Sequence, residues 1–278
     1  MTTPLHLHAG PIDLVCRAWG APGAVRAAYA AASAAFPAIL PGLCAELPLL
    51  RRGLPGARPC GDVAGAMHDA CMPYAAGFIT PMAAVAGAVA DAVLAVMCAA
   101  APLDRALVNN RGDIAVHLAP GQSVRCGVVA DVAAPALDGV FTLQAGQPTR
   151  GVATSGRACR GRGGRSFSFG IADSATILAR TAAEADAAAS VVANAVDLPG
   201  HPAVARVPAC SIDADSDLGS RLVTWDVGPL PPGFVAAALD NGARVAQALI
   251  GRGRIHGAVL TLRGQVRVCA PQAFQDAA

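Results

Sequence analysis

The sequence predicts an α+β fold, a single domain over residues 1–278 with a mixed or antiparallel sheet packed by helices. Three observations carry this expectation. Hydrophobic residues make up 54% of the chain and charged residues only 14%, so a large core can be buried and disorder is excluded. Ala-rich helical stretches fill the first third, and short strand-like runs bounded by Gly, Pro and Asp follow. Helices and strands then mix without the strand–helix–strand rhythm of a parallel sheet.

Taken in order, residues 5–18 read as one or two strands, with IDLVCRAWG alternating before a turn at Gly20 to Gly23. Residues 24–47 are helical, interrupted at Pro37 and Pro41. RRGLPGARPCGD (51–62) is a loop, and helices are expected over 63–75 and 82–99. ALVNN, DIAVHL, SVRCGVV and GVFTLQ are short strands, and residues 151–166 form a Gly/Arg loop. SFSFG (166–170) and SATILA read as strands. A helix over 182–195 carries a capping signal, with Glu184 three residues after Thr181. Strands at 204–209 and 221–227, a helix at 233–250 and a closing hairpin, IHGAVLTL-RGQ-VRVCA, complete the chain.

Charge and cysteine content narrow the function. A net charge of +2 implies neither a nucleic-acid partner nor an acidic membrane surface. All 21 basic residues are Arg, which excludes a Schiff-base Lys, a Lys general base and a P-loop Lys. Nine Cys, an odd number without a CxxC pair, fit reduced thiols better than a disulfide framework. The opening MTTPLHLHAG lacks a basic segment followed by an apolar one, so no signal peptide and a cytoplasmic location are expected. Residues 78–102 approach the length of a bilayer span, but Asp91 sits mid-segment at an insertion cost of at least ~2.5 kcal/mol, which favours a buried core helix.

Several apparent motifs fail. DADSDLGSRLVTW (213–225) has Asp213, Asp215 and Asp217 at calcium-loop spacing, but Leu218 and Thr224 occupy the required Gly and Glu positions, leaving a solvated acidic turn. GRGRIHG (251–257) misses the dinucleotide Gly pattern and follows a helix rather than a strand. RGRGGR (160–165) is either a phosphate clamp or a mobile basic loop, and the RGD in NNRGD (109–113) carries no meaning at a strand end. Cys60, His68 and Cys71 offer soft metal donors without a conventional zinc spacing.

Three other segments carry more. Asp186 and Ser190 are four residues apart on the predicted helix, so they share one face one turn apart. A carboxylate and a hydroxyl so placed suit a hard cation such as Mg²⁺, and the alternative is a local cap or ion pair. ATSG puts Thr154, Ser155 and Gly156 at a strand end, where hydroxyls and N–H groups suit a phosphate or a flavin edge, or make an ordinary polar turn. Asp113 after Gly112, at a strand start, suits a ring nitrogen or sugar hydroxyl, or fixes the turn.

In order along the chain, PMAAVAGAVADAVLAVM (81–97), ALVNNRGDIAV (106–116) and VATSGRA (152–158) with ADSATILARTAAEADAAAS (172–190) resemble the ApbE-like superfamily of FAD:protein FMN transferases. Gly87 and Asp91 match its helix entry, and Gly112 and Asp113 match its GGD turn, with Arg111 where the first Gly is usual. The resemblance covers about half the chain and is nearest to an uncharacterised side branch. It implies a T-fold-related scaffold and a small phosphorylated ligand, FAD or FMN. It also implies Mg²⁺ held by Asp186 and Ser190, and a ligand site of Gly87, Gly112, Asp113, Thr154, Ser155, Gly156 and Arg157. A flavoprotein acceptor is implied if transfer occurs. Two departures weaken that activity: Ala86 stands where the transferases carry Lys, and SFSFG lacks their His. The expectation is thus an ApbE-like ligand-binding protein with weak or lost FMN transfer. The alternatives are an enzyme of pterin or one-carbon cofactor synthesis on the same scaffold, or a non-catalytic flavin-binding or assembly protein.

Overall fold

A computed structural model describes residues 3–128, 139–156 and 167–270. In chain order the elements are β1 Leu5–Ala9, β2 Ile12–Trp19, α1 Pro22–Ala35, α2 Ile39–Ala45, α3 Leu47–Leu50, α4 Asp62–Cys71, α5 Val85–Ala100, β3 Arg105–Asn110, β4 Asp113–Leu118, β5 Ser123–Val128, β6 Gly139–Gln144, β7 Gly151–Ser155, β8 Ser174–Ala179, α6 Ala182–Ala195, β9 Val204–Pro208, β10 Leu222–Val227, α7 Pro232–Gly251, β11 Gly257–Leu262 and β12 Gln265–Cys269. The fold is α+β, as expected. Its strands hydrogen-bond in the order β1-β2-β3-β4-β7-β8-β11-β12, with β5-β6 and β9-β10 as separate two-stranded ribbons.

The contacts gather into two compact units, and β5, β6, β7, β8 and α6 supply residues to both. The first comprises Met1–Cys126, Thr142–Ala153 and Leu178–Ala187. Its sheet is antiparallel, with Leu14 opposite Asn110, Cys16 opposite Val108 and Ala18 opposite Ala106. The alternation in β2 explains why it forms: Ile12, Leu14, Cys16 and Ala18 are buried, while Val15 and Arg17 face solvent. Helices α1 and α5 pack in this unit. The second unit comprises Gly127–Phe141, Thr154–Ile177 and Ala188–Ala278. There α7 packs on β11 and β12 and buries Leu239, Gly242, Ala243 and Ala246, with the space above Gly242 filled by Val196 and Leu260.

Helix α5 is nearly apolar all round, and Gly87, Ala88, Val89, Ala90, Val93, Leu94 and Met97 are buried, the pattern of a core helix. By length and composition alone, Pro81–Ala100 and Pro22–Ala45 are long and apolar enough to cross a membrane. Asp91, in the middle of the first, instead accepts hydrogen bonds from the backbone of α6.

Most boundaries follow the sequence. The helix expected over 24–47 breaks near its prolines, as a short 3₁₀ turn over Phe36–Ala38 between α1 and α2. Residues 81–84 are also a 3₁₀ turn, so α5 begins three residues later than expected. The loop expected over 151–166 is corrected at its start, because Gly151–Ser155 pair as β7. One strand is corrected as well. Phe167 to Gly170 are not a strand, because their backbone is bonded by a side chain and by other segments. Asn194 Oδ1 accepts from the Phe169 N–H at 2.9 Å, and the Thr224 N–H donates to Ser168 O at 2.9 Å.

Two close approaches need glycine. A Cβ on Gly87 would lie 2.2 Å from Ala182 O, and one on Gly151 would lie 2.0 Å from Thr181 O, both immovable backbone atoms. Gly42, inside α2, has nothing within 4 Å of the same position. Gly87→Ala is therefore expected to cost about 3 kcal/mol or more, as overpacking against backbone does. Gly42→Ala is expected to be neutral or to stabilise by up to about 1 kcal/mol through helix propensity. Urea unfolding of the two variants beside wild type checks both; equal stabilities would refute the close helix approach.

Candidate functional site

The candidate site lies where α5 and α6 begin, within the first unit. Small residues permit the contact: α6 opens Ala-Ala-Glu-Ala-Asp with Ala182, Ala183 and Ala185 buried, and α5 offers Gly87. Each helix carries one carboxylate toward the start of the other. Asp91 of α5 accepts the Ala182 N–H at 3.0 Å and the Ala183 N–H at 2.9 Å, and the Thr181 hydroxyl donates to it as well. Asp186 of α6 accepts the Gly87 N–H at 3.0 Å through Oδ2, and the Ala86 N–H also donates to it. These N–H groups belong to first turns, where no intrahelical acceptor exists and the helix dipole is positive. The two helices thus cap each other reciprocally. Within α6 itself the expected capping residue is in place, since the Glu184 N–H donates to Thr181 Oγ1 at 3.1 Å.

Burial opposes the charge on both carboxyls. It pushes Asp91 up to about 6, although the N–H bonds from Ala183 and Ala182 pull the other way. It raises Asp186 too, again against two backbone N–H bonds, with the Asp91 charge adding to the rise.

A third contact ties the sheet to this crossing. Asn110, buried at the end of β3, donates from Nδ2 to Ala86 O at 3.1 Å and accepts the Asp13 N–H at 3.4 Å. The turn that follows has Arg111 at φ +54° and Gly112 at φ +116°, a left-handed pair that suits a two-residue hairpin. The Gly112 N–H donates to Asn109 Oδ1 at 2.7 Å. The first position of this turn favours glycine, which gives a physical reason for the Gly usual where Arg111 stands.

The predicted residues therefore divide. Gly87 and Asp186 are hydrogen-bonded to each other, while Gly112 and Asp113 close the β3–β4 turn. Asp186 and Ser190 stand one turn apart on α6, both half-buried. In the second unit, Thr154 and Ser155 end β7 and Gly156 follows with φ +141°, as the strand-end reading required. Thr154 Oγ1 lies 2.9 Å from Thr176 Oγ1 on β8, and a Cβ on Gly156 would meet Asp173 O at 2.4 Å. Arg157 and the RGRGGR stretch lie outside the described residues. Sequence reasoning missed Asn110 and Thr176. It had matched Asp91 to a motif without giving it a partner.

The donor set suits a cation that takes its remaining ligands elsewhere. One carboxylate and one hydroxyl fit Mg²⁺, which usually keeps waters and phosphate oxygens in its shell. Among the described residues no group of three or more His, Cys, Asp or Glu is placed to hold a metal by itself. The Cys60, His68 and Cys71 alternative does not assemble: His68 Nδ1 lies 3.1 Å from Asp69 Oδ1 and Nε2 lies 3.2 Å from Gly56 O, while Cys71 is buried. The 213–217 segment is a turn in which Asp213 Oδ1 accepts the Asp215 N–H at 3.0 Å.

The chain joins an α+β scaffold to two helix entries that cap each other. A family model described as AbpE bacteria matches residues 1–268, and the chain belongs to that family. Among curated relatives, it is 35% identical over 167 residues to a UPF0280 protein of Methanoregula boonei, covering 59% of this chain and 65% of that protein. It is 32% identical over 172 residues to a UPF0280 protein of Methanosphaerula palustris, covering 62% and 68%. The matched part thus spans about two thirds of these relatives. Among solved structures, it is similar to the apbe protein from Thermotoga maritima, with a TM-score of 0.43, 17% identity and coverage of 94% and 79%. It is also similar to flavin transferase ApbE from Vibrio cholerae, with a TM-score of 0.43, 11% identity and coverage of 99% of each chain.

The raised Asp91 predicts a pH dependence. A carboxyl whose folded value is raised holds its proton longer in the folded state. Its contribution is present below the unfolded value near 4 and is lost as pH rises through about 6. Wild type should therefore lose stability between about pH 4 and pH 6, by roughly 1–3 kcal/mol. Asp91→Asn should flatten that slope. Urea midpoints across this range test it, and a wild-type stability that rises with pH there would contradict the assignment.

Proposed function

We propose that the protein binds a flavin nucleotide, FAD or FMN, or a related phosphorylated ligand together with Mg²⁺, and that its FMN transfer is weak or lost. The observation that carries this reading is Asp186. It shares one helical face with Ser190 and sits against the amide-rich start of α5, in a chain of the AbpE bacteria family. Asp186 and Ser190 would hold the cation, with phosphate oxygens and waters completing its shell. Bound there, Mg²⁺ would neutralise charge on the ligand's phosphates. Thr154, Ser155 and Gly156 would serve the phosphate or flavin edge, joined by Arg157, and Gly112 with Asp113 the ring or sugar.

The weakness of transfer is argued from charge. Pyrophosphate cleavage develops negative charge on the leaving phosphate, and removing one stabilising group typically costs 10²–10³ in rate. The chain has no Lys, and the residue at the transferases' Lys position is Ala86, whose carbonyl accepts from Asn110 and whose side chain is one methyl. Arg is no substitute as a proton-transfer base, because it stays protonated. Ala86 equally favours a second reading, a non-catalytic flavin-binding or assembly protein. A flavoprotein acceptor belongs to the first reading alone.

Two measurements test the proposal. Calorimetric titration with FAD should show Mg²⁺-dependent binding, and Asp186→Ala should weaken it at least about tenfold, or roughly 1.4 kcal/mol. Equal affinities in wild type and variant would overturn the metal assignment. Incubation with FAD, Mg²⁺ and a flavinylation acceptor should give little or no in-gel flavin fluorescence. Transfer at the level of a proven transferase run alongside would show that neither the Lys nor the His is needed.

A further inference from the structure

We infer that Asp91 is a positioning residue for Asp186, so that the entry of α6 and the entry of α5 form or open as one unit. The inference concerns this chain's own residues, and its link to ligand binding rests on the proposed function. Asp91 sits a turn and a half into α5 and holds the first two N–H groups of α6 at 3.0 and 2.9 Å. Asp186 sits in the second turn of α6 and holds the Gly87 N–H of α5 at 3.0 Å. The same two helices are therefore joined twice, in opposite directions, around a contact where Gly87 has no room for a Cβ beside Ala182 O. Neither carboxylate can keep its bonds if the other helix entry shifts by an ångström, since N–H bonds weaken steeply beyond about 3.2 Å. Asn110 adds a brace on the same turn of α5 through Ala86 O. An Asp at 91 that served only its own helix would have no bond to α6. A carboxylate at 186 that served only a ligand would have no need of the Gly87 amide.

The inference makes a demand that simple capping does not. Loosening the Asp91 contacts must loosen the Gly87 amide, which Asp91 does not touch. In Asp91→Asn one acceptor oxygen of the carboxylate becomes an NH₂ group, so one of the two α6 N–H bonds is lost. Amide hydrogen exchange by NMR on the full chain should then show Gly87 exchanging about tenfold faster than in wild type. Cys16 and Val108, in the centre of the sheet, report global stability and should speed up clearly less. Gly87 changing by no more than these sheet amides overturns the inference and leaves Asp91 a local cap. Wild type supplies a check that does not depend on the variant folding. In increasing denaturant the Gly87, Ala182 and Ala183 amides should open with one common free energy, and separate opening of the two helix entries overturns the inference equally. The ligand arm distinguishes this result from the proposed function. In folded Asp91→Asn, half-saturation of FAD binding should need about tenfold more Mg²⁺, with binding in EDTA unchanged, as loss of support around a metal ligand predicts. If wild type shows no Mg²⁺-dependent FAD binding, the functional reading fails, while the exchange data still decide the role of Asp91.

Discussion

Everything distinctive in the first unit depends on an exchange of carboxylates between two helix entries. A helix start leaves N–H groups with no partner inside the helix, and burying them unpaired costs on the order of 1–3 kcal/mol each. Asp91 and Asp186 each satisfy such groups on the other helix, so the pairing removes four orphan donors at once. It also forces the helices close, and closeness dictates composition. Gly87 cannot carry a Cβ, and α6 opens with alanines rather than leucines because larger side chains would hold the backbones apart.

The same arrangement has an electrostatic consequence. Burial raises both carboxyls, with the Glu184 charge adding to the rise at Asp91 and the Asp91 charge adding to that at Asp186. The N–H groups and the positive ends of two helix dipoles offset part of that cost, and in both cases burial outweighs them. The clasp is therefore stabilising through geometry while storing an unfavourable charge, which a proton removes at low pH and a cation would remove at neutral pH.

How much of this was legible depends on how local each signal is. β2 was legible because Ile12, Leu14, Cys16 and Ala18 alternate, and α6 because Thr181 and Glu184 set its start within one turn. The strand ending at Thr154 and Ser155 and the turn at Gly112 were legible from Gly and hydroxyl chemistry. SFSFG misled because its alternation of Ser and Phe is a property of five residues. Its conformation is decided by Asn194, 26 positions from Ser168, and by Thr224. The partner of Asp91 lies 91 residues away at Ala182, and that of Asn110 lies 24 away at Ala86. No period or cap rule connects such positions. What the sequence offered instead was a resemblance, which placed Asp91 in a motif without saying what it holds.

The absence of Lys at 86 can now be placed physically. A Lys there would put a cation on one of the two residues whose amides Asp186 holds, and a nearby positive charge stabilises the carboxylate against burial. With Ala86 the ionised form of Asp186 has only backbone dipoles among the contacts assigned to it, and its value rises. A carboxyl in that condition would have to release its proton before the proposed cation could bind, so affinity and deprotonation would be one equilibrium. Losing the Lys thus changes more than the charge available to a leaving phosphate. It leaves the Gly87 and Ala86 amides as the groups that favour the charged form of Asp186, while burial and the Asp91 charge both oppose it.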